Sequence, residues 1–137
     1  MRSALKQLLT DVDDEFIPKL SVRLNLDEYV DKIIAKSTIV PVYENGVLNA
    51  FISFYCNDLK DHVGYLSMIV VKRDYRNKGV AQLLIEYAIS FLQHSGFKYF
   101  RLEVNKQNVK ALNLYKKSGF TIFQETVDVF LMEKKLI

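Results

Sequence analysis

YLSMIVV (residues 65–71), KRDYRNKGVA (72–81) and QLLIEYAISF (82–91) run together without a break, and their reading decides the fold. The first segment is short, apolar and rich in β-branched residues, and both of its faces are apolar from Leu66 to Val71. That pattern predicts a strand covered on both sides. Val80, Leu84, Tyr87, Ala88 and Phe91 fall on one helical stripe, and Gly96 supplies a stop, so an amphipathic helix is expected just after Gly79. A turn this tight leaves the first helical N–H groups unpaired at the positive end of the helix dipole. Gly79 and Ala81 are small, so a bulky anion can approach the backbone of Arg76-Asn77-Lys78-Gly79-Val80-Ala81, and a diphosphate suits such a site. Taken alone, the stretch is equally compatible with an ordinary strand-to-helix loop.

Working outward, Phe97 to Asn105 reads as the next strand, which makes a βαβ unit with two parallel strands. Upstream, Ser37 to Tyr43 and Val47 to Cys56 are strands joined by the Asn45-Gly46 pair of a tight hairpin. Residues 2–10 form a short helix, and Pro18 enforces an extended path through FIPKLSVRL. Asn25 and Glu28 have the spacing of a capping box for a helix with Leu26, Tyr29, Val30, Ile33 and Ile34 on one face. Downstream, a helix from Asn108 to Lys117 ends at Gly119, and Phe120–Gln124 and Val127–Lys135 close the chain as a hairpin. The expected fold class is α/β (α+β): one domain, residues 1–137, with a mixed β-sheet. The sheet should be antiparallel at its ends with a central parallel βαβ pair, flanked by helices on both faces.

Composition limits the function classes. Half of the residues are hydrophobic and 26% are charged, as in an ordinary globular domain. No apolar run approaches the ~20 residues that span a bilayer, and the acidic N-terminal stretch does not resemble a signal peptide. The net charge of +3 is too small to indicate nucleic-acid binding. Cys56 is the lone cysteine, read as a buried inert thiol in its strand, and a cytoplasmic location is expected. His62 and His94 lack ligand spacing, so no metal is expected. The oligomeric state is left open, a dimer included.

A second stretch, LEVNKQNVKALNLYKKSGF (102–120), gives the first its meaning. RNKGVA fits the R/Q-x-x-G-x-G/A signature of the GCN5-related N-acetyltransferase (GNAT) superfamily, and the second stretch resembles that superfamily's next signature in order and separation. The resemblance runs from about Tyr65 to Phe120. It implies a GNAT-like fold and acetyl-CoA as acyl donor, with the diphosphate resting on Arg76, Asn77, Lys78, Gly79, Val80, Ala81 and Gln82. It also implies a backbone oxyanion donor on the central strand, bulged near Ile69, Val70 and Val71, and a cofactor-binding role for Asn108. Asn108 could equally be a plain helix N-cap.

Amide formation from a thioester needs a base for the amine, donors for the carbonyl oxygen and a proton for the departing thiolate. A phenol, with a free pKa of about 10 against ~8.5 for a thiol, can supply that proton in a concerted step. Asn108, Ala111 and Tyr115 share one helical face, where small Ala111 leaves room for a pantetheine arm. By the resemblance Tyr115 is the general acid; by composition it is one of eight tyrosines and could be a core residue. Glu103 matches a glutamate base in ribosomal-protein N-terminal acetyltransferases; the alternative is a surface carboxylate paired to Arg101.

The superfamily's usual first strand is absent or hidden in Lys19 to Leu24, and the hairpin around Glu125-Thr126 is short. The short hairpin argues for an open cleft and a small-molecule amine acceptor. Arg23 is a candidate anchor for an acceptor carboxylate or phosphate, or simply a solvated arginine. The alternatives are a protein N-terminal or lysine acetyltransferase, and a non-catalytic acyl-CoA-binding module.

Overall fold

The computed structural model describes residues 1–16 and 18–137. Its helices are α1 (Arg2–Val12), α2 (Leu20–Arg23), α3 (Leu26–Lys36), α4 (Val80–His94) and α5 (Val109–Lys117). Its strands are β1 (Thr38–Glu44), β2 (Val47–Tyr55), β3 (Val63–Val71), β4 (Tyr99–Asn105), β5 (Thr121–Glu125) and β6 (Val129–Lys135). They form one six-stranded sheet in the order β1-β2-β3-β4-β6-β5. Only β3 and β4 are parallel, as the βαβ reading requires. The closing hairpin folds back so that β6, not β5, lies against β4.

Local chemistry explains most boundaries. Asn45 and Gly46 both take positive φ (53° and 79°), as a tight hairpin turn needs. The Asn25 side chain accepts from the Glu28 N–H at 3.1 Å and caps α3. The stretch Lys19 to Leu24 is not a strand: Leu20–Arg23 is a single helical turn. Cys56 lies one residue past β2, half-buried rather than buried, with its Sγ 3.3 Å from Thr38 Oγ1.

Two cores sandwich the sheet. One, under α4 and α5, gathers Phe54, Leu84, Ile85, Leu92, Phe100, Leu102 and Met132. The other, under α1 and α3, gathers Leu5, Leu9, Val30, Ile33, Phe51 and Met68. Fully burying a side chain such as Leu or Phe contributes about 1.5–3 kcal/mol, so both layers are needed to hold the strands. The face of α4 differs from the expected stripe. Leu84 and Ala88 are buried, but with Ile85, Ile89 and Leu92; Tyr87 is 54% exposed and Phe91 36% exposed. Gln82, Glu86, Ser90 and Gln93 form a polar stripe on α4 with the buried residues opposite it, and Tyr87 and Phe91 flank that stripe. Phe91 reaches only the edge of Phe54, with ring centroids 5.5 Å apart.

Strands β3 and β4 pair over three residues only, from Val63↔Tyr99 to Tyr65↔Arg101. Beyond that point β3 stays with β2 as far as Val71, while β4 stays with β6 as far as Asn105. The register of β3 against β2 jumps from Phe54↔Leu66 to Ser53↔Met68, leaving Ser67 as a bulge. The expected bulge near Ile69 to Val71 therefore sits just upstream. A bulge adds local twist, and here it turns β3 away from β4 and opens the sheet.

At the closed end of this split, α4 packs tightly on Gly64. A Cβ built there would meet Leu92 Cδ1 at 2.6 Å, and Leu92 is fully buried. Gly64→Ala is expected to lower folding stability by about 1–3 kcal/mol, the usual cost of overpacking. Urea denaturation checks this; an unchanged midpoint would refute the tight contact.

Candidate active-site cleft

Where β3 and β4 separate, a cleft of about 1100 Å³ opens between them and the first turn of α4. Its walls include Tyr65 to Val71 of β3, Glu103 to Asn105 of β4, and Ala111, Leu114 and Tyr115 of α5. The segments around Phe16 and Val127 border it on the other side.

The floor at α4 is built of backbone. Asn77 and Gly79 take positive φ (62° and 77°), and a Cβ on Gly79 would meet nothing within 4 Å. The first amide of this region with a partner is that of Leu83, which donates to Gly79 O at 3.1 Å. Among the described residues, the N–H groups of residues 77–82 make no hydrogen bond within the protein. Six free donors at a helix mouth form a cradle for an anion. The open space at Gly79 lets a group as bulky as a diphosphate approach these donors.

The side chains of this turn behave differently from their backbone. Arg76 grips Glu15, with Nη1 and Nη2 donating to the two carboxylate oxygens at 2.7 and 3.0 Å, and its Nε donates to Val71 O at 2.9 Å. Arg73 adds a longer contact to Glu15 at 3.3 Å. The Lys78 Nζ lies 5.0 Å from the centre of the Tyr75 ring, and Lys78 does not line the cleft. Gln82 donates to Glu86 at 2.9 Å. Lys78 can therefore serve an anion through its N–H. The Arg76 N–H instead donates to Arg73 O at 3.3 Å, and the guanidinium ties the turn to the segment after α1. Arg76, expected to hold the diphosphate, thus has no free backbone donor for it.

The edge of β3 supplies further donors. Lys72 N–H donates to Asn49 O on β2 at 2.8 Å. N–H groups alternate sides along a strand, so those of Val71 and Ile69 turn toward the cleft and that of Val70 toward β2. The carbonyl of Val71 shares this direction, as its bond from Arg76 confirms. The side chains of Ile69 and Val71 pack toward α4 and α5, while Val70 packs toward α1 and α3.

Tyr115 is 6% exposed, packed edge-on against Phe120 with centroids 6.0 Å apart. Its hydroxyl has no hydrogen-bond partner among the described residues. No fully buried polar side-chain atom among them lacks a partner, so this hydroxyl opens onto the cleft. Burial pushes its pKa well above the usual phenol value, which keeps the proton in place at neutral pH. Asn108 caps α5, its oxygen accepting from Ala111 N–H at 3.2 Å. That leaves its amide NH₂ facing a wall it helps to line.

Glu103 is exposed on the opposite face of β4 from Leu102 and Val104. It does not pair with Arg101, which instead bonds Glu133 at 2.6 Å. Beside it stands Tyr65, whose phenol pKa is raised by burial and then by the Glu103 charge. Two features had no sequence signal. The Glu15–Arg76 pair joins residues 61 apart. The Tyr29 hydroxyl meets Ser67 Oγ on the bulge at 2.6 Å, and burial pushes the Tyr29 pKa up to about 12.

The chain is similar to known proteins. The model of the acetyltransferase (GNAT) family matches residues 4–120. N-alpha-acetyltransferase 30 of Saccharomyces cerevisiae is 36% identical over 70 residues, which are 51% of this chain and 40% of that protein. Streptothricin acetyltransferase of Escherichia coli is 39% identical over 66 residues, 48% of this chain and 38% of that protein. The matches thus span about two fifths of the length of these curated relatives. Among solved structures, the PaiA N-acetyltransferase of Thermoplasma acidophilum in complex with coenzyme A superposes with a TM-score of 0.73. That likeness covers 98% of this chain and 94% of the other at 19% identity, so it speaks to the fold alone.

The Glu15–Arg76 fork yields a pH-dependent stability. Hydrogen bonding to Arg76, then its charge, holds the Glu15 carboxyl below the usual range despite partial burial. A carboxylate with a depressed folded pKa stabilises fully above its unfolded pKa of about 4.3, and that contribution fades as pH falls through the folded value. Glu15→Gln should therefore cost about 1 kcal/mol at neutral pH and nothing in acid, where the wild-type carboxyl is also neutral. Chemical denaturation at both pH values checks this; a gap independent of pH would count against the pair.

Proposed function

The chain belongs to the acetyltransferase (GNAT) family, and from that premise we propose that it transfers an acetyl group from acetyl-CoA to the primary amine of a small molecule. The observation that carries this reading is the meeting, in one cleft, of the unpartnered N–H groups of residues 77–82 with the Tyr115 hydroxyl. One end of the cleft suits a diphosphate and the other a thioester. When bound, acetyl-CoA supplies an acyl group already activated as that thioester.

The chain's own groups then divide the work. Amides 77–82, with Gly79 and Ala81 leaving the backbone bare, hold the diphosphate, and the Asn108 amide lies along the path. The N–H groups of Ile69 and Val71 stabilise the carbonyl oxygen as it gains charge, each such preorganised donor contributing several kcal/mol in a water-poor site. Glu103 takes the proton from the amine, directly or through a water, and passes it to solvent. Tyr115 donates its proton to the departing sulfur and recovers one from solvent. Its raised pKa weakens full transfer but keeps the hydroxyl as a hydrogen-bond donor when sulfur becomes anionic.

The acceptor assignment rests on the β5–β6 connection, which is only Thr126-Val127-Asp128. So short a turn cannot fold over a peptide lying in the cleft. A second reading, transfer to the α-amine of a peptide, is favoured by the matches to N-alpha-acetyltransferases. Intact-mass analysis of candidate peptides beside a small-amine panel separates the two, since only the peptide reading gives acetylated peptides with unreacted small amines.

Tyr115→Phe is expected to lower kcat by roughly 100-fold or more, the range for loss of a general acid, with the KM for acetyl-CoA little changed. Thiol release from acetyl-CoA measures both constants. Full activity in Tyr115→Phe would remove Tyr115 from the mechanism, and a wild type that binds acetyl-CoA without turnover would leave only a binding module.

A further inference from the structure

We propose that the acceptor is a small amine that also carries an anionic group, with the anion held by Arg23 and the amine by Glu103. This inference rests on the transferase reading above and names the substrate class of the same cleft.

Three of the charged side chains that line the cleft are matched: Arg76 with Glu15 at 2.7 Å, and Lys106 with Glu125 at 2.6 Å. Among the described residues lining it, Arg23, Glu103, Lys110 and Asp128 make no ion pair. Lys110 stands on α5 with Asn108 and so belongs to the donor side. Asp128 is in the β5–β6 turn, at the rim. That leaves Arg23 and Glu103 as opposite charges on the acceptor side.

Arg23, Ser67, Tyr65 and Glu103 all line the same cleft. Arg23 ends α2 and lies near enough to the Tyr29 phenol for its charge to oppose the effect of burial there. The Tyr29 hydroxyl bonds Ser67 Oγ at 2.6 Å. Ser67 and Tyr65 are two positions apart on β3, about 7 Å along a strand, and Tyr65 stands beside Glu103, whose charge its phenol feels. Tyr65 pairs in register with Arg101, and Arg101 and Glu103 share one face of β4, so Tyr65 and Glu103 project to the same side. An ammonium group at Glu103 would meet both a carboxylate and the Tyr65 ring. A carboxylate or phosphate at the far end would find the planar fork of Arg23.

The test is a series of ω-amino acids of increasing length, the aminoalkyl phosphates of matching length, and the neutral carboxamides of the same acids. Turnover is read by thiol release with wild type, Arg23→Gln and Arg23→Lys, all verified as folded by circular dichroism. Wild type should prefer an anionic acceptor over its neutral partner by roughly tenfold or more, expressed in KM, as one charge-assisted hydrogen bond would give. Which anionic series leads identifies the group that Arg23 holds. In Arg23→Gln the ratio should fall to about one, and Arg23→Lys should recover part of it. Calorimetric titration of the preferred acid without donor should show binding that Arg23→Gln loses. Equal rates for anionic and neutral acceptors, or a preference that survives Arg23→Gln, would overturn the inference while leaving the transferase reading intact. No thiol release with any amine would overturn both.

Discussion

Everything in the cleft follows from β3 and β4 parting after Tyr65↔Arg101. A backbone edge inside a sheet cannot be left without partners at no cost, and here each strand keeps one partner and gives up the other. β2 holds β3 through Val71, and β6 holds β4 through Asn105. The sheet can therefore open without unravelling, and the exposed N–H groups of Ile69 and Val71 become donors for whatever enters. The bulge at Ser67 sets the direction of the split, and the tight fit of Leu92 on Gly64 anchors its closed end.

The same split leaves two sets of groups on opposite faces of the sheet. On the α4 and α5 side lie the free amides of residues 77–82, Asn108, Ala111 and the Tyr115 hydroxyl. On the α1 to α3 side lie Tyr65, Ser67, Tyr29, Arg23 and Glu103. Arg76 bridges the two, with its Nε on the end of β3 and its fork on Glu15 beyond α1. The arginine of the glycine-containing turn is thus a brace in this chain, and the groups the turn leaves without partners are its backbone amides. With that side chain on Glu15, six unpartnered amides and a helix dipole remain at the α4 mouth.

What the sequence made legible was local. YLSMIVV, the Asn45-Gly46 turn, the Asn25 cap and Gly79 before α4 are written in neighbouring residues, and each forms where those residues require. That Asn108, Ala111 and Tyr115 line one wall was legible in their spacing, whereas the roles expected of Asn108 and Tyr115 came from the resemblance alone. The features that escaped join distant segments. Glu15 and Arg76 carry no mutual signal across 61 residues, and nothing in the closing hairpin tells whether β5 or β6 meets β4. The inner face of α4 was displaced for another reason: the expected stripe took in Tyr87 and Phe91, which flank the polar stripe of Gln82, Glu86, Ser90 and Gln93 and stay partly exposed. The bulge was expected near its true place, but twist is decided by pairing with β2, which a single strand does not encode.

A crystal structure with coenzyme A bound tests the central claim most directly. The diphosphate oxygens should lie within hydrogen-bonding distance of several N–H groups among residues 77–82. The sulfur should stand in the opening between β3 and β4, within reach of the Tyr115 hydroxyl. A coenzyme whose diphosphate lies away from the α4 mouth, or whose sulfur is out of reach of Tyr115, would contradict the account.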